Sequence, residues 1–287
     1  MSVSSQVKIT ECPRDAMQGI TEFIPTTHKI KYINSLLKVG FDTLDFGSFV
    51  SPKAVPQMKD TSEVLQNLNL DGTQTKLLAI IGNMRGAEEA CKHAEITYLG
   101  FPFSFSPTFL ERNIRSTIEK SFQLVQDLLA HSTKHDKKLL VYISMAFGNP
   151  YGDDWNTELL LHWIDQLHWA GIRDIALADT TGMGNAATIA KVLDIVVPAY
   201  AEVKFGLHLH TTSQDWRDKI DAAYQNGCRH FDGVLNGLGG CPMAGPELTG
   251  NIRTSDLLAY FDEQEASTGV DKQAFAHAMQ MAEDIMP

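Results

Sequence analysis

Two histidines one residue apart, His208 and His210, are the sharpest chemical signal in this chain. Residues two apart on a β-strand point to the same side, so both imidazoles can reach one ion while Leu209 packs the other way. The same pair is also compatible with two satisfied polar side chains near a strand end. Asp15 offers a hard anionic oxygen and Asn251 a neutral amide oxygen. Two nitrogens and two oxygens with open positions accept Mg²⁺, Mn²⁺, Co²⁺ or Zn²⁺. With no thiolate in the set, a hard or borderline ion that keeps water ligands is favoured.

Arg14 adjoins Asp15. Its guanidinium does not serve as a base, but it stabilises developing oxyanion charge, or forms a structural pair with a carboxylate such as Glu11 or Asp45. Asp45 and Asp179 are candidates for a base or for orienting groups. For Asp179, followed by Thr180-Thr-Gly, orienting or capping the next helix is the better reading. Cys241 lies in Gly237-Leu-Gly-Gly-Cys-Pro, a run of small residues where backbone comes close to a ligand and a thiol can project. Beside an ion or an arginine, such a thiol suits proton transfer.

The other cysteines read as structural: Cys12 and Cys91 as space-fillers in or near the core, Cys228 as the residue after a helix-ending glycine. Four cysteines without a CxxC pair are too sparse for a disulfide scaffold and suit a reducing compartment. The start, Met1-Ser-Val-Ser-Ser-Gln-Val-Lys, lacks the basic end and apolar stretch of a secretory signal, and no run reaches the roughly 18 to 20 apolar residues of a membrane helix. The expected location is the cytoplasm, with no membrane partner. A formal charge of −11 opposes a general nucleic-acid groove, yet a local arginine or metal ion can reverse the sign inside one cleft.

These residues need elements to hold them. Short apolar segments recur at Val7–Glu11, Thr43–Gly47, Lys76–Ile81, Glu95–Gly100, Leu139–Met145, Asp174–Asp179, Lys204–His210 and His230–Leu235. Several are continuous apolar runs, as in a parallel sheet buried on both faces. Between them lie helical stripes: Ile30, Ile33, Leu36 and Leu37; a longest one through Ile114, Ile118, Phe122, Val125 and Leu129; and Leu160, Trp163, Ile164 and Leu167. Asp60 with Glu63 resembles a capping box. Gly40, Gly171 and Gly227 each end a helix about three residues before a strand, a weak internal repeat.

This pattern predicts an α/β chain folded as one (β/α)8 TIM barrel over residues 1–287, with short additional C-terminal helices; a doubly wound sheet is the runner-up. No dinucleotide or Walker fingerprint follows any strand. In a barrel, chemistry collects where strands end, and Arg14, Asp45, Asp179, His208, His210 and the Asn236–Asn251 loop all fall there.

Taken together, the segments resemble the 3-hydroxy-3-methylglutaryl-CoA lyase family, within a larger group of barrel metallolyases. The matching strings are Pro13-Arg-Asp, Ser48-Phe-Val-Ser-Pro-Lys-Ala-Val-Pro-Gln-Met58, Asn113-Ile114, Phe147-Gly with Pro150-Tyr, Asp179-Thr180, His208-Leu-His210 and Gly237-Leu-Gly-Gly-Cys-Pro242. The Ser48–Met58 stretch and the glycine-cysteine loop point to the lyase; Arg-Asp and HxH are shared with condensing enzymes of the wider group. The resemblance implies a divalent cation, Mg²⁺ or Mn²⁺, held by Asp15, His208, His210 and Asn251. It implies catalytic roles for Arg14, Asp45 and Cys241, an acyl-CoA substrate cleaved by retro-Claisen chemistry, and a homo-oligomer, most often a dimer. For the phosphates of CoA, Lys53, Arg85 and Arg112 are possible contacts.

There are departures. The family's glutamate is Asp45 here, one methylene shorter, and the aspartate that usually follows the second histidine is Thr211. The loop from Cys241 to Asn251 is one residue longer, Met243 replaces a tyrosine, Asn149 a cysteine, Pro107 a glutamate and Ala16 a glycine. The expected activity is carbon–carbon cleavage of 3-hydroxy-3-methylglutaryl-CoA or a related 3-hydroxyacyl-CoA. The alternatives are condensation of an acyl-CoA with an α-keto acid, or an inactive barrel retained for binding.

Overall fold

The computed structural model describes residues 6–240 and 249–286. Eight strands lie parallel and close in chain order: β1 (Lys8–Glu11), β2 (Thr43–Ser48), β3 (Lys76–Ile80), β4 (Ile96–Ser104), β5 (Lys138–Ser144), β6 (Asp174–Asp179), β7 (Lys204–Leu209) and β8 (His230–Gly233). Pairing of Lys8 to Glu11 with His230 to Gly233 closes the ring, so the fold is the (β/α)8 barrel and not the open sheet. The fourth strand runs four residues past Gly100, through Phe101-Pro-Phe-Ser, because a long β5 pairs with it as far as Ser104.

The helices follow as the apolar stripes require. They are α1 (Pro13–Gln18), α2 (Thr26–Leu37), α3 (Thr61–Gln66), α4 (Met84–Ala90), α5 (Pro107–Ile114), α6 (Ile118–Lys134), α7 (Thr157–Trp169), α8 (Ala186–Ala199), α9 (Trp216–Gln225), α10 (Thr254–Glu263) and α11 (Lys272–Ile285). The three repeated glycines, Gly40, Gly171 and Gly227, have φ of +85°, +99° and +88°, the left-handed region that only glycine enters freely. Each turns the chain from a helix back into the next strand. Of the C-terminal helices, α10 follows β8 as the eighth barrel helix, and α11 packs outside against α2.

Two expected local features differ. The stripe from Ile114 to Leu129 is not one helix. Arg115 takes a left-handed φ of 51° and ends α5, and Thr117 starts α6 by accepting from the Lys120 amide at 3.3 Å. Asp60 is no capping box: its carboxylate accepts from the buried Lys29 ammonium at 2.8 Å and from the Thr26 hydroxyl at 2.9 Å. Ion pairing of a buried lysine outweighs a cap that any amide of the first turn could find in water.

The main core lies between barrel and helices, where Ile175, Leu177, Leu207 and Leu209 point outward. Inside the barrel, Leu78, Tyr98, Tyr142 and Ala176 form their own buried cluster. Alternation along a strand then places the inward polar residues above that apolar plug, at the strand ends.

Candidate active site at the strand-end mouth

Asp15 and Arg14 enter the mouth on α1, a single-and-a-half-turn helix that starts at Pro13 directly after β1. Proline at the first helical position has no N–H to leave unpaired there. Asp45 comes inward from β2 and is fully buried. Arg14 grips it, with Nε to Oδ2 at 3.0 Å and Nη2 to Oδ2 at 2.5 Å, and reaches Asp15 Oδ1 through Nη1 at 3.0 Å. Of the two carboxylates named as partners for Arg14, Asp45 is therefore the one that pairs; Glu11 instead accepts from the Leu235 amide at 2.8 Å and the Thr254 hydroxyl at 2.5 Å, tying β1 to the chain after β8.

His208 lies in register between Ala178 of β6 and Asp232 of β8. Adjacent partners share a face, so Asp232 meets the His208 ring, Nδ1 to Oδ2 at 3.1 Å. The other ring nitrogen then faces Asp15, with Nε2 to Oδ2 at 3.9 Å. His210 pairs as an isolated bridge with Asn251, because residues 250–252 run back along the end of β7. The Thr211 amide donates to the Gly250 carbonyl at 3.0 Å and the Ile252 amide to Leu209 at 3.2 Å. Asn251 donates its carboxamide N–H to Asp15 Oδ2 at 2.6 Å and to the Leu238 carbonyl at 2.9 Å. Both of these bonds use the carboxamide nitrogen, and the carboxamide oxygen is the atom with a lone pair to offer a cation.

Among the described residues, ligand atoms of Asp15, His208 and His210 lie within 4.8 Å of one another. The sequence separated these residues by almost two hundred positions; the closed barrel brings them together. Cys12 forms a second grouping with His208 and Asp232. Cys12 is buried and does not line the cavity at the mouth, whereas Asp15, His208 and His210 all do. The Asp15 grouping is the better donor set.

Charge balance at the mouth follows from burial and neighbours. Burial disfavours the Asp15 anion, but Arg14 and the two imidazoles more than offset it and hold the carboxyl below its ordinary range. Burial pushes Asp45 up to about 6, against the pull of Arg14 and with help from Asp15 and Asp232. Burial opposes the His208 cation, yet the Asp232 hydrogen bond and charge bring it above its ordinary value. His210 is lowered to about 4, by burial first and then by His208, so its ring is neutral near pH 7 with a lone pair to give.

A cavity of about 410 Å³ opens here. Its polar wall includes Arg14, Asp15, His208 and His210, and its apolar wall includes Ile80, Pro102, Phe109 and Tyr142. The Ser48–Met58 stretch forms one rim through Val50, Ser51, Ala54 and Val55. Gln57 of that stretch fastens the loop after α1, donating to the Ile20 carbonyl at 2.8 Å. Asp45 does not line the cavity; it stands behind Arg14. An adjoining cleft of about 290 Å³ carries Lys59 and Arg85. Of the three basic residues considered for phosphate contacts, only Arg85 faces these spaces. Lys53 lines neither, and Arg112 stacks over the Tyr151 ring at 4.7 Å.

Four polar residues at the mouth were not legible beforehand as site residues. Asp232 needed the β7–β8 register. Gln18 follows Asp15 by one helical turn and donates to its carboxylate, a spacing the sequence does contain. Tyr142 stands edge-on to His208, ring centroids 6.0 Å apart. Lys219, on α9, is 1% exposed and bridges Asp179 Oδ2 at 3.1 Å, Asp215 Oδ2 at 3.0 Å and the His210 carbonyl at 3.0 Å. Asp179 also accepts from the Gly184 amide at 3.0 Å, so it braces the loop before α8, while the helix itself is capped by Asn185.

The departures noted in the sequence find local partners. Asn149 accepts from the Tyr151 and Asp153 amides, both at 3.1 Å, and closes its own loop. Pro107 occupies the first turn of α5, and Ala16 is buried. Cys241 and Met243 lie outside the described residues. Gly239, at φ +89°, passes so close to the Asp15 carbonyl that a Cβ would stand 2.6 Å from its oxygen.

Fold and mouth together define a parallel (β/α)8 barrel with a mixed nitrogen and oxygen donor set and a paired arginine at its strand-end face. The chain belongs to the HMGL-like family, whose model matches residues 6–282. Hydroxymethylglutaryl-CoA lyase YngG of Bacillus subtilis is 30% identical to it, over 100% of this chain and 95% of its own. A 3-hydroxy-3-isohexenylglutaryl-CoA/hydroxymethylglutaryl-CoA lyase of Pseudomonas aeruginosa is 31% identical, over 98% and 93%. The solved HMG-CoA lyase from Acinetobacter baumannii, in complex with coenzyme A and 3-methylmalate, superposes with a TM-score of 0.91 at 30% identity, covering 100% of this chain and 93% of that one. The carboxyl transferase domain of Rhizobium etli pyruvate carboxylase, at 15% identity and a TM-score of 0.71, shares the fold. Among the described residues no helix is long and apolar enough to cross a membrane.

Proposed function

We propose that this protein is a divalent-metal-dependent carbon–carbon lyase that cleaves 3-hydroxy-3-methylglutaryl-CoA, or a closely related 3-hydroxyacyl-CoA, to acetyl-CoA and a keto acid. The observation that carries the reading is the meeting of Asp15, His208 and His210 beside Arg14 at one cavity wall, with Asn251 hydrogen-bonded to Asp15. The full-length similarity to lyases of that substrate supports it.

The donor set fits a small divalent cation. Asp15 is held as an anion, His210 is neutral, and the Asp232 bond turns His208 so that its Nε2 faces Asp15. The carboxamide oxygen of Asn251 would complete two nitrogens and two oxygens, with Mg²⁺ or Mn²⁺ the expected ions. When bound, the ion supplies a positive centre that favours negative charge on the substrate's oxygens.

The chain's own groups carry the remaining steps. The proton of the substrate's 3-hydroxyl leaves toward the Asp45 carboxylate, which stands behind the cavity-lining Arg14 guanidinium. The bond between the carbinol carbon and the acyl-CoA methylene breaks, its electron pair entering the thioester enolate while the carbinol becomes a ketone. Arg14 stabilises the enolate oxygen. Cys241 returns a proton to the methylene carbon and acetyl-CoA is formed. The apolar wall of Ile80, Pro102, Phe109 and Tyr142 keeps water from competing for the carbanion. CoA phosphates approach over the cleft that carries Lys59 and Arg85. The reading places the enzyme in the cytoplasm as a homo-oligomer, a dimer being the expected form.

The test is release of acetoacetate from 3-hydroxy-3-methylglutaryl-CoA by the purified protein with added Mg²⁺ or Mn²⁺, abolished in His208→Ala. No acetoacetate above background ends the substrate assignment. Free CoA thiol that appears only on adding an α-keto acid identifies a condensing enzyme instead.

A further inference from the structure

We infer that Cys91, His131 and His135 form a second metal site, on the outside of the barrel, for a borderline divalent cation such as Zn²⁺. One ligand atom from each residue lies within 4.8 Å of the others. Cys91 is the C-cap of α4, and His131 and His135 stand in the last turn and at the C-cap of α6. Their spacing of four puts both rings on one helix face, with ring centroids 4.3 Å apart.

The nitrogens are prepared for this. His135 donates from Nδ1 to the His131 carbonyl at 2.9 Å, which fixes the tautomer and leaves Nε2 with its lone pair free. His131 Nε2 is buried and has no hydrogen-bond partner among the described residues. A buried ring nitrogen left unpaired is an energetic penalty that a metal bond would remove. The C-terminal ends of α4 and α6 converge at the same point, and both present the negative pole of the helix dipole to a cation. The nearby Lys137 ammonium is engaged elsewhere, on the Ala94 and Ile96 carbonyls at 3.0 and 2.7 Å.

Two imidazoles and a thiolate with an open fourth position select Zn²⁺ or a similar ion over Mg²⁺, which prefers oxygen. Cys91 and His135 precede β4 and β5, so the site lies at the strand-start end of the barrel, opposite the mouth. That end of this fold serves stability. An ion here would clamp α4 to α6 without touching substrate.

The full-length protein is stripped of metal with a chelator and titrated with Co²⁺. The expected result is a thiolate-to-cobalt charge-transfer absorption that is kept in His208→Ala and lost in Cys91→Ser. Zn²⁺ should raise the melting midpoint of the His208→Ala protein by a few degrees. It should give no such rise in His135→Ala, an exposed-site variant expected to fold if Cys91→Ser does not. Cys91→Ser should retain the wild-type rate in any activity of the mouth. No charge-transfer band at saturating Co²⁺, or a band that survives both Cys91→Ser and His135→Ala, overturns the site.

Discussion

The guanidinium of Arg14 lies against the Asp45 carboxylate, Nη2 to Oδ2 at 2.5 Å and Nε to Oδ2 at 3.0 Å, with Asp45 fully buried behind it. A carboxylate one methylene shorter than the glutamate expected at this position therefore still holds the arginine. Two roles for Asp45 are separable. As proton acceptor, it must be ionised, so kcat should rise with pH through about 6, the value to which burial pushes it. Asp45→Asn should then lower kcat about a hundredfold and erase that acidic limb. A pure positioning role predicts a smaller loss with the limb preserved. The pH profile of both proteins decides between them.

Asp232 sets the tautomer of His208 through the 3.1 Å bond to Nδ1. Asp232→Asn should weaken Mn²⁺ binding about 10- to 100-fold while the barrel stays folded. Isothermal calorimetry gives the affinity, and circular dichroism checks the fold. Unchanged affinity would mean that the Asp232 bond does not orient a metal-binding His208.

Lys219 is a buried cation shared by Asp179, Asp215 and the His210 carbonyl. Lys219→Met leaves Asp179, itself 1% exposed, without its counter-charge. The expected loss is about 3–5 kcal/mol in urea unfolding. Adding Asp179→Asn should recover part of that loss, since the uncompensated charge goes with it.

Glu11 is pushed by burial from an ordinary value of 4.5 up to about 8, against the pull of its Thr254 and Leu235 hydrogen bonds. A raised carboxyl binds its proton more tightly in the folded state, so its stabilising contribution is full below the unfolded value and fades as pH rises through about 8. Between those limits the wild type should lose stability relative to Glu11→Gln by up to about 1.4 kcal/mol per pH unit. Parallel unfolding series from pH 5 to pH 9 measure the difference directly. A constant gap between the two proteins would show that Glu11 does not titrate in this window.

Strand positions were largely readable because a strand buried on both faces is a near-continuous apolar run, and little else of that length between helices looks the same. The glycines at 40, 171 and 227 were readable because a positive φ restricts the residue type. Helix breaks were less so. The stripe from Ile114 to Leu129 keeps its period across two helices, and only the Arg115 backbone and the Thr117 cap reveal the break. Asp60 carried the residue type of a cap, but Lys29, thirty-one positions away, claimed its carboxylate.

The same division runs through the mouth. His208, His210, Arg14 and Asp15 were visible because their types are chemically unusual in combination, and each stands beside a strand end. Asp232, Lys219 and Gln18 were not, since a lone aspartate, lysine or glutamine has the composition of any solvated surface. Residue order by itself determined the periods of the strands and helices, which are local, and the set of residues equipped for chemistry. Tertiary structure alone decided which of them meet. Closing β8 onto β1 and running residues 250–252 back along β7 fixes contacts between positions hundreds of residues apart, and no local propensity encodes those distances.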